Sequence, residues 1–253
     1  GSEQVLAFYD HRVGHICTDA HLLLLPLDDH ICHRGDGLFE SISFRQRTIF
    51  GLDAHLARLV DGAAALSITP PCGWQDVRQR IIDVALAAGV DNGDLRVFLS
   101  PAECPQAGLY IVALKKNLPS EALYAKGLTA FASAIPPKQE YLARIKNTNY
   151  LPNVFMAMEA RQKGMDVAVT FDENDIMGEA AVANVGLVDD QGRLLCPEIK
   201  RILPGTTLLA AMEVAAERMP VVQMPIPKAA IATAREMLLF TSSTLCVGIT
   251  HFD

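Results

Sequence analysis

The feature that most limits how this chain folds is a change of periodicity about fifty residues in. Residues 38–44 (Leu38-Phe39-Glu40-Ser41-Ile42-Ser43-Phe44) are rich in β-formers with polar residues at every second or third place, and Gly35-Asp36-Gly37 before them is a turn. From residue 52 the spacing becomes helical. Leu56, Leu59, Val60, Ala63 and Leu66 recur along a helix predicted over 52–68, with Asp53 as its N-cap. A second helix is predicted over 75–88, ending at Gly89, and then strands over 95–100 and 109–114.

The polar stretch 118–126, with Pro119, Ser120 and Glu121, reads as a linker. It separates a small N-terminal α/β domain (3–117) from a larger C-terminal domain (127–253). In the second part, strands are predicted over 128–134, 166–171, 182–188, 237–241 and 246–252, and helices over 151–163 and 207–218. Strands and helices mix without strict alternation, so the expected class is α+β or irregular α/β rather than a doubly wound sheet. Half of the 253 residues are hydrophobic, enough to bury a large core.

A net charge of −7 and the lack of a basic stripe argue against a nucleic-acid partner. The apolar runs are too short for a membrane span, so a soluble, cytoplasmic protein is expected. The six cysteines (17, 32, 72, 104, 196, 246) form no Cys-x-x-Cys pair and read as reduced thiols in the core. His11, His15, His30 and His33 lack ligand spacing with the cysteines, so no metal is expected.

The residues with chemical potential are few. Lys146 sits between Ile145 and a helix start, crowded by Asn147, Thr148 and Asn149. An amine beside apolar surface is more easily held neutral, as imine formation requires. Glu179 follows a turn and precedes small residues that leave room for a flat ring; as a lone turn carboxylate it could equally be solvated. Gly205-Thr206-Thr207 precedes a helix, whose amides can receive a phosphate. Thr241-Ser242-Ser243-Thr244 offers hydroxyls, and Arg58 lies on the first helix. An amine, an acid and phosphate donors are what pyridoxal phosphate needs.

Five segments, in order, resemble the class IV (fold type IV) pyridoxal-phosphate enzymes, which include D-amino acid aminotransferase, branched-chain aminotransferase and aminodeoxychorismate lyase. Gly35-Asp36-Gly37-Leu38-Phe39-Glu40-Ser41 is similar to the family's Gly-Asp-Gly-x-Phe-Glu-Thr, and 52–59 to its phosphate-arginine helix. Lys146 to Leu151 is similar to its Schiff-base segment, Glu179 with Asn184 to its Glu-x-x-x-x-Asn, and Pro204-Gly205-Thr206-Thr207 to its phosphate turn. The resemblance implies a two-domain, D-amino acid aminotransferase-like fold and a homodimer. It implies that Lys146 binds the cofactor and moves the proton, and that Glu179 pairs with the pyridine nitrogen. Arg58, Thr206, Thr207 and Ser243 would hold the phosphate, and Phe39 would border the substrate; Arg34 stands where the family usually has an aromatic residue and reads either as a substitute cation at the substrate side or as a surface charge. The implied reaction is transfer of an amino group between an amino acid and a 2-oxo acid, with pyruvate-eliminating aminodeoxychorismate lyase as the alternative and a non-catalytic relative as a further one.

The chain departs from the family in places. Ser100-Pro101-Ala102 stands where Thr-Arg-Gly is usual, Leu208 where an arginine follows the phosphate turn, and Ala180-Ala181-Val182 where serines are common. Relatives usually continue past the position of Asp253, so a shortened member is expected.

Overall fold

The computed structural model describes residues 2–101 and 107–253. Two compact units result: Gly1–Leu118 with Ile145–Asn149, and Pro119–Arg144 with Tyr150–Asp253. The first holds β1 (Val5–Asp10), β2 (Ile16–Cys17), α1 (His30–His33), β3 (Leu38–Arg45), β4 (Thr48–Ile49), α2 (Leu52–Ala65), α3 (Trp74–Ala87), β5 (Gly93–Ser100) and β6 (Gly108–Lys115). Its sheet runs β2-β1-β6-β5-β3-β4 with antiparallel pairing. Period-two alternation sends Leu38, Glu40, Ile42 and Phe44 to one face of β3, all of them buried. The apolar members of that row join Leu59 and Ala63 of α2 and Val77, Ile81 and Val84 of α3 in one core.

The helix expected from residue 52 forms, but Asp53 is not its cap. Gly51 takes the N-cap with a φ of 59°, a conformation glycine adopts without steric cost. Asp53 lies in the first turn instead, where a carboxylate faces the positive helix end, and it pairs with Arg78 at 3.0 Å.

The second unit begins with α4 (Glu121–Lys126), so a helix occupies most of the polar stretch read as a linker. Ser120 caps it by accepting from the Leu123 amide, which offsets the weak apolar content of so short a helix. There follow β7 (Leu128–Ala132), α5 (Glu140–Ala143), α6 (Leu151–Lys163), β8 (Val167–Phe171), β9 (Met177–Ala180) and β10 (Asn184–Val188). The unit ends with β11 (Leu194–Cys196), α7 (Thr206–Ala216), β12 (Val221–Gln223), β13 (Glu236–Thr241) and β14 (Leu245–Phe252). Its mixed eight-stranded sheet has the order β12-β11-β10-β13-β14-β7-β8-β9. The segment Ile145–Asn149 groups with the first unit rather than with the C-terminal one.

Among the described residues no helix is long and apolar enough to cross a membrane. Cys17, Cys32, Cys72, Cys196 and Cys246 are free thiols. Cys32 and Cys246 are exposed, so the core reading fails for them. Cys196 lies fully inside, and burial pushes its thiol up to about 11. Cys104 and Ala102 fall outside the described residues.

Candidate functional site

Lys146 is fixed through its backbone. The Phe39 amide donates to its carbonyl (3.0 Å), and the Thr148 amide donates to Gly37 (2.8 Å). An antiparallel bridge joins Leu38 to Asn147 between these bonds. The segment is therefore a short extra strand against the start of β3. Asn147 steadies it, its amide donating to the Ile145 carbonyl (3.1 Å) and its Oδ1 accepting from the Asn149 N–H (3.1 Å). The Lys146 Nζ lies 4.5 Å from the centroid of the Phe39 ring, within cation–π range.

Behind β3 lies a buried ionic cluster. Alternation puts Glu40 on the core face, and His55 and Arg58, three apart on α2, reach it from above. Arg58 donates through Nε to Oε1 (2.8 Å) and through Nη2 to Oε2 (2.7 Å). His55 Nδ1 lies 2.7 Å from Oε2. Burial alone would raise the Glu40 carboxyl. The Arg58 hydrogen bonds and charge, helped by His55, overcome that and bring it down to about 2. The Arg58 side chain is therefore held inward against Glu40 and not spread on the surface.

Glu179 belongs to β9 in the second unit and is half-buried. Its backbone is gripped on both sides by Thr170 Oγ1, which accepts from the Glu179 amide (3.1 Å) and donates to its carbonyl (2.9 Å). Its Oε2 accepts from the Leu203 amide (3.0 Å) and more weakly from Asn184 Nδ2 (3.4 Å). Asn184 also donates to the Leu203 carbonyl at 2.9 Å. Two residues beyond Leu203, Gly205 caps α7, whose first turn carries Thr206 and Thr207 with their amides at the helix N-terminus.

Lys138 lies in the same unit, its Nζ 5.5 Å from the Tyr150 ring centroid. Burial lowers its amine, and the charge of Glu179 opposes that. At the β13–β14 turn, Thr241 Oγ1 accepts from the amides of Ser243 (2.9 Å) and Thr244 (3.1 Å). Leu208 is fully buried in an apolar cluster with Phe240, which accounts for an apolar residue there in place of the family's arginine.

Thus the first unit holds Lys146, Phe39 and Arg58, with Arg34 exposed at the end of α1. The second holds Glu179, Thr206, Thr207 and Ser243. Sequence reasoning gave no part to His55 or Lys138, and it marked Asn184 only as the motif partner of Glu179. Glu40 and His55 could have been found from strand and helix phase, since both fall on apolar faces. Lys138 carries no such signal.

A two-sheet α/β chain with this order of lysine, acid and helix-cap segments has the class IV aminotransferase fold. Residues 37–252 match the family described as amino-transferase class IV, and the chain belongs to that family. It is 32% identical over 217 residues to the chloroplastic D-amino-acid transaminase of Arabidopsis thaliana, a match covering 82% of this chain and 57% of that protein. The chain thus spans little more than half the length of that relative. A solved hypothetical aminotransferase from Mycobacterium tuberculosis, in PLP-bound form, superposes with a TM-score of 0.84 at 23% identity, covering 98% and 91% of the two chains. The 4-amino-4-deoxychorismate lyase of Pseudomonas aeruginosa gives 0.81 at 25% identity, covering 91% and 88%.

Proposed function

We propose that this chain is a pyridoxal-phosphate-dependent aminotransferase that moves an amino group between an amino acid and a 2-oxo acid. The observation that carries the reading is the Glu179 carboxylate, fixed by the Leu203 amide and Asn184 just ahead of the N-terminus of α7. A carboxylate held beside a helix N-terminus suits a ring with a basic nitrogen at one end and a phosphate at the other. The donor set fits the cofactor: an amine at Lys146, an acid at Glu179, and cationic and amide donors at Arg58, Thr206, Thr207 and Ser243.

When bound, pyridoxal phosphate supplies an aldehyde and an electron-withdrawing ring. Lys146 would hold the cofactor through its Nζ, and its amine would serve as the base that moves the proton at the substrate Cα. Glu179 would keep the ring nitrogen protonated. Glu40 orients the Arg58 guanidinium. Phe39 borders the substrate, and Arg34 is the candidate cation for its carboxylate.

The test is an absorption spectrum of the protein with pyridoxal phosphate, beside Lys146→Ala, before and after borohydride. The expected result is a yellow band in the parent alone, trapped by reduction onto Lys146, with the variant's turnover down by at least about 10³-fold. A parent that takes up no cofactor defeats the enzyme reading and leaves a non-catalytic relative.

Lyase chemistry is the second reading, supported by the likeness to the Pseudomonas lyase and by the alanines after Glu179. Pyruvate release from aminodeoxychorismate without an amino acceptor would select it. A homodimer belongs to the same proposal. Leu151, Val154, Phe155 and Met158 form an exposed apolar stripe along α6, a surface of the kind a second copy covers. Light scattering checks the mass, and cell fractionation checks residence in the cytoplasm.

A further inference from the structure

Asn184 is buried at the start of β10, 4% exposed, with its backbone registered against Phe240 of β13. Its amide nitrogen reaches Glu179 Oε2 and the Leu203 carbonyl, while the Leu203 N–H donates to that same Oε2. The carboxylate, the side-chain amide and the backbone of Leu203 thus close a ring of hydrogen bonds. The other side of the amide faces Gly205. A Cβ added there would overlap Asn184 Oδ1 outright. The Gly205 backbone, at φ −66° and ψ 126°, is open to any residue. Glycine is therefore required at this cap by the packing of Asn184 and not by the turn itself.

We propose that Asn184 is a positioning residue that sets the spacing between the Glu179 carboxylate and the N-terminus of α7, with Gly205 making room for it. The inference rests on the reading above, in which Glu179 meets the ring nitrogen of pyridoxal phosphate and α7 receives its phosphate. Both ends of one rigid ligand must then be matched at once, and one buried side chain controls the match. An aspartate would put a second carboxylate against Glu179 and lose the donor. An alanine would leave the Leu203 carbonyl and Glu179 each one bond short.

The test compares three ligands by equilibrium binding: pyridoxal phosphate, its 1-deaza analogue lacking the ring nitrogen, and pyridoxal lacking the phosphate. The parent is expected to favour pyridoxal phosphate over each analogue by at least about tenfold. Asn184→Ala and Asn184→Ser, which remove no group assigned to the phosphate, are expected to lower both preferences by about threefold or more. A uniform loss of affinity for all three ligands, with both preferences intact, would reduce Asn184 to ordinary packing and overturn the inference. So would a change in the nitrogen preference alone.

Thermal unfolding of the cofactor-free protein adds a check independent of the ligand. Gly205→Ala should lower the midpoint, and the double variant Gly205→Ala/Asn184→Ala should be less destabilised than the sum of the two singles. Strict additivity would overturn the assigned contact. A parent that does not bind pyridoxal phosphate overturns the function and this inference together. Tight binding with unchanged preferences in the variants overturns the inference alone.

Discussion

Glu40 in the first unit and Glu179 in the second are both carboxylates on strands, but different groups hold their charges. Glu40 is sealed in the core and meets a guanidinium twice and an imidazole once. Glu179 is half-buried, and the bonds from Leu203 and Asn184 come from neutral amides. Neutral donors fix a carboxylate in place while leaving its negative charge to act on a neighbour. A carboxylate paired to arginine has its charge compensated locally, and what it contributes is the orientation of that arginine. One acid serves to position a cation, and the other, on the function proposed above, would receive one.

The largest expected effect tests the first half of that contrast. Glu40→Ala leaves Arg58 buried without its main counter-charge, and chemical denaturation should show a loss of about 3–5 kcal/mol. A loss below about 1 kcal/mol would mean that the cluster relaxes into water and that the two acids are alike. Glu179→Gln reverses the pattern. Its stability should stay within about 1 kcal/mol of the parent, while amino-transfer turnover falls by on the order of 10²-fold. Equal losses of stability at both sites would break the comparison.

Acid titration sharpens it further. The folded Glu40 carboxyl, at about 2, lies below its ordinary 4.5. Its contribution to stability is present above pH 4.5 and is lost as pH falls toward 2. Urea midpoints should therefore decline over that window in the parent and less steeply in Glu40→Gln. The smallest effect is expected at an exposed pair. Asp53→Asn, which breaks the contact to Arg78, should change stability by less than about 0.5 kcal/mol. A larger change would mean that surface charge rivals the buried cluster.

Much of this was legible in the sequence, and what was not shares a cause. The alternation of 38–44 and the helical spacing from residue 52 are local patterns, and both elements formed with small shifts at their ends. Lys146 and Glu179 stood out because their neighbours are unusual. The attachment of Ile145–Asn149 to β3 was invisible, because it depends on backbone pairing between Leu38 and Asn147, far apart in the chain. Asn184 was legible only as a motif partner of Glu179, because its meeting with Leu203 and Gly205 joins it to a separate segment about twenty residues on. The helix within 118–126 was not legible, because a single capping serine suffices to start a six-residue helix that has no buried face. Periodicity reports faces, and it is silent on which distant groups meet across them.

The attachment of the Lys146 segment to the first unit also bears on synthesis. A ribosome finishes residue 118 well before it reaches residue 149. At a typical rate of about 5–20 residues per second, the N-terminal unit waits on the order of seconds for its last strand. During that interval the Phe39 amide and Gly37 carbonyl lack the partners they have in the folded chain. A nascent chain released at residue 118 should therefore be cut by protease near Gly37, and one released after residue 149 should be protected there. The residue proposed to anchor the cofactor lies within the segment that completes the N-terminal sheet.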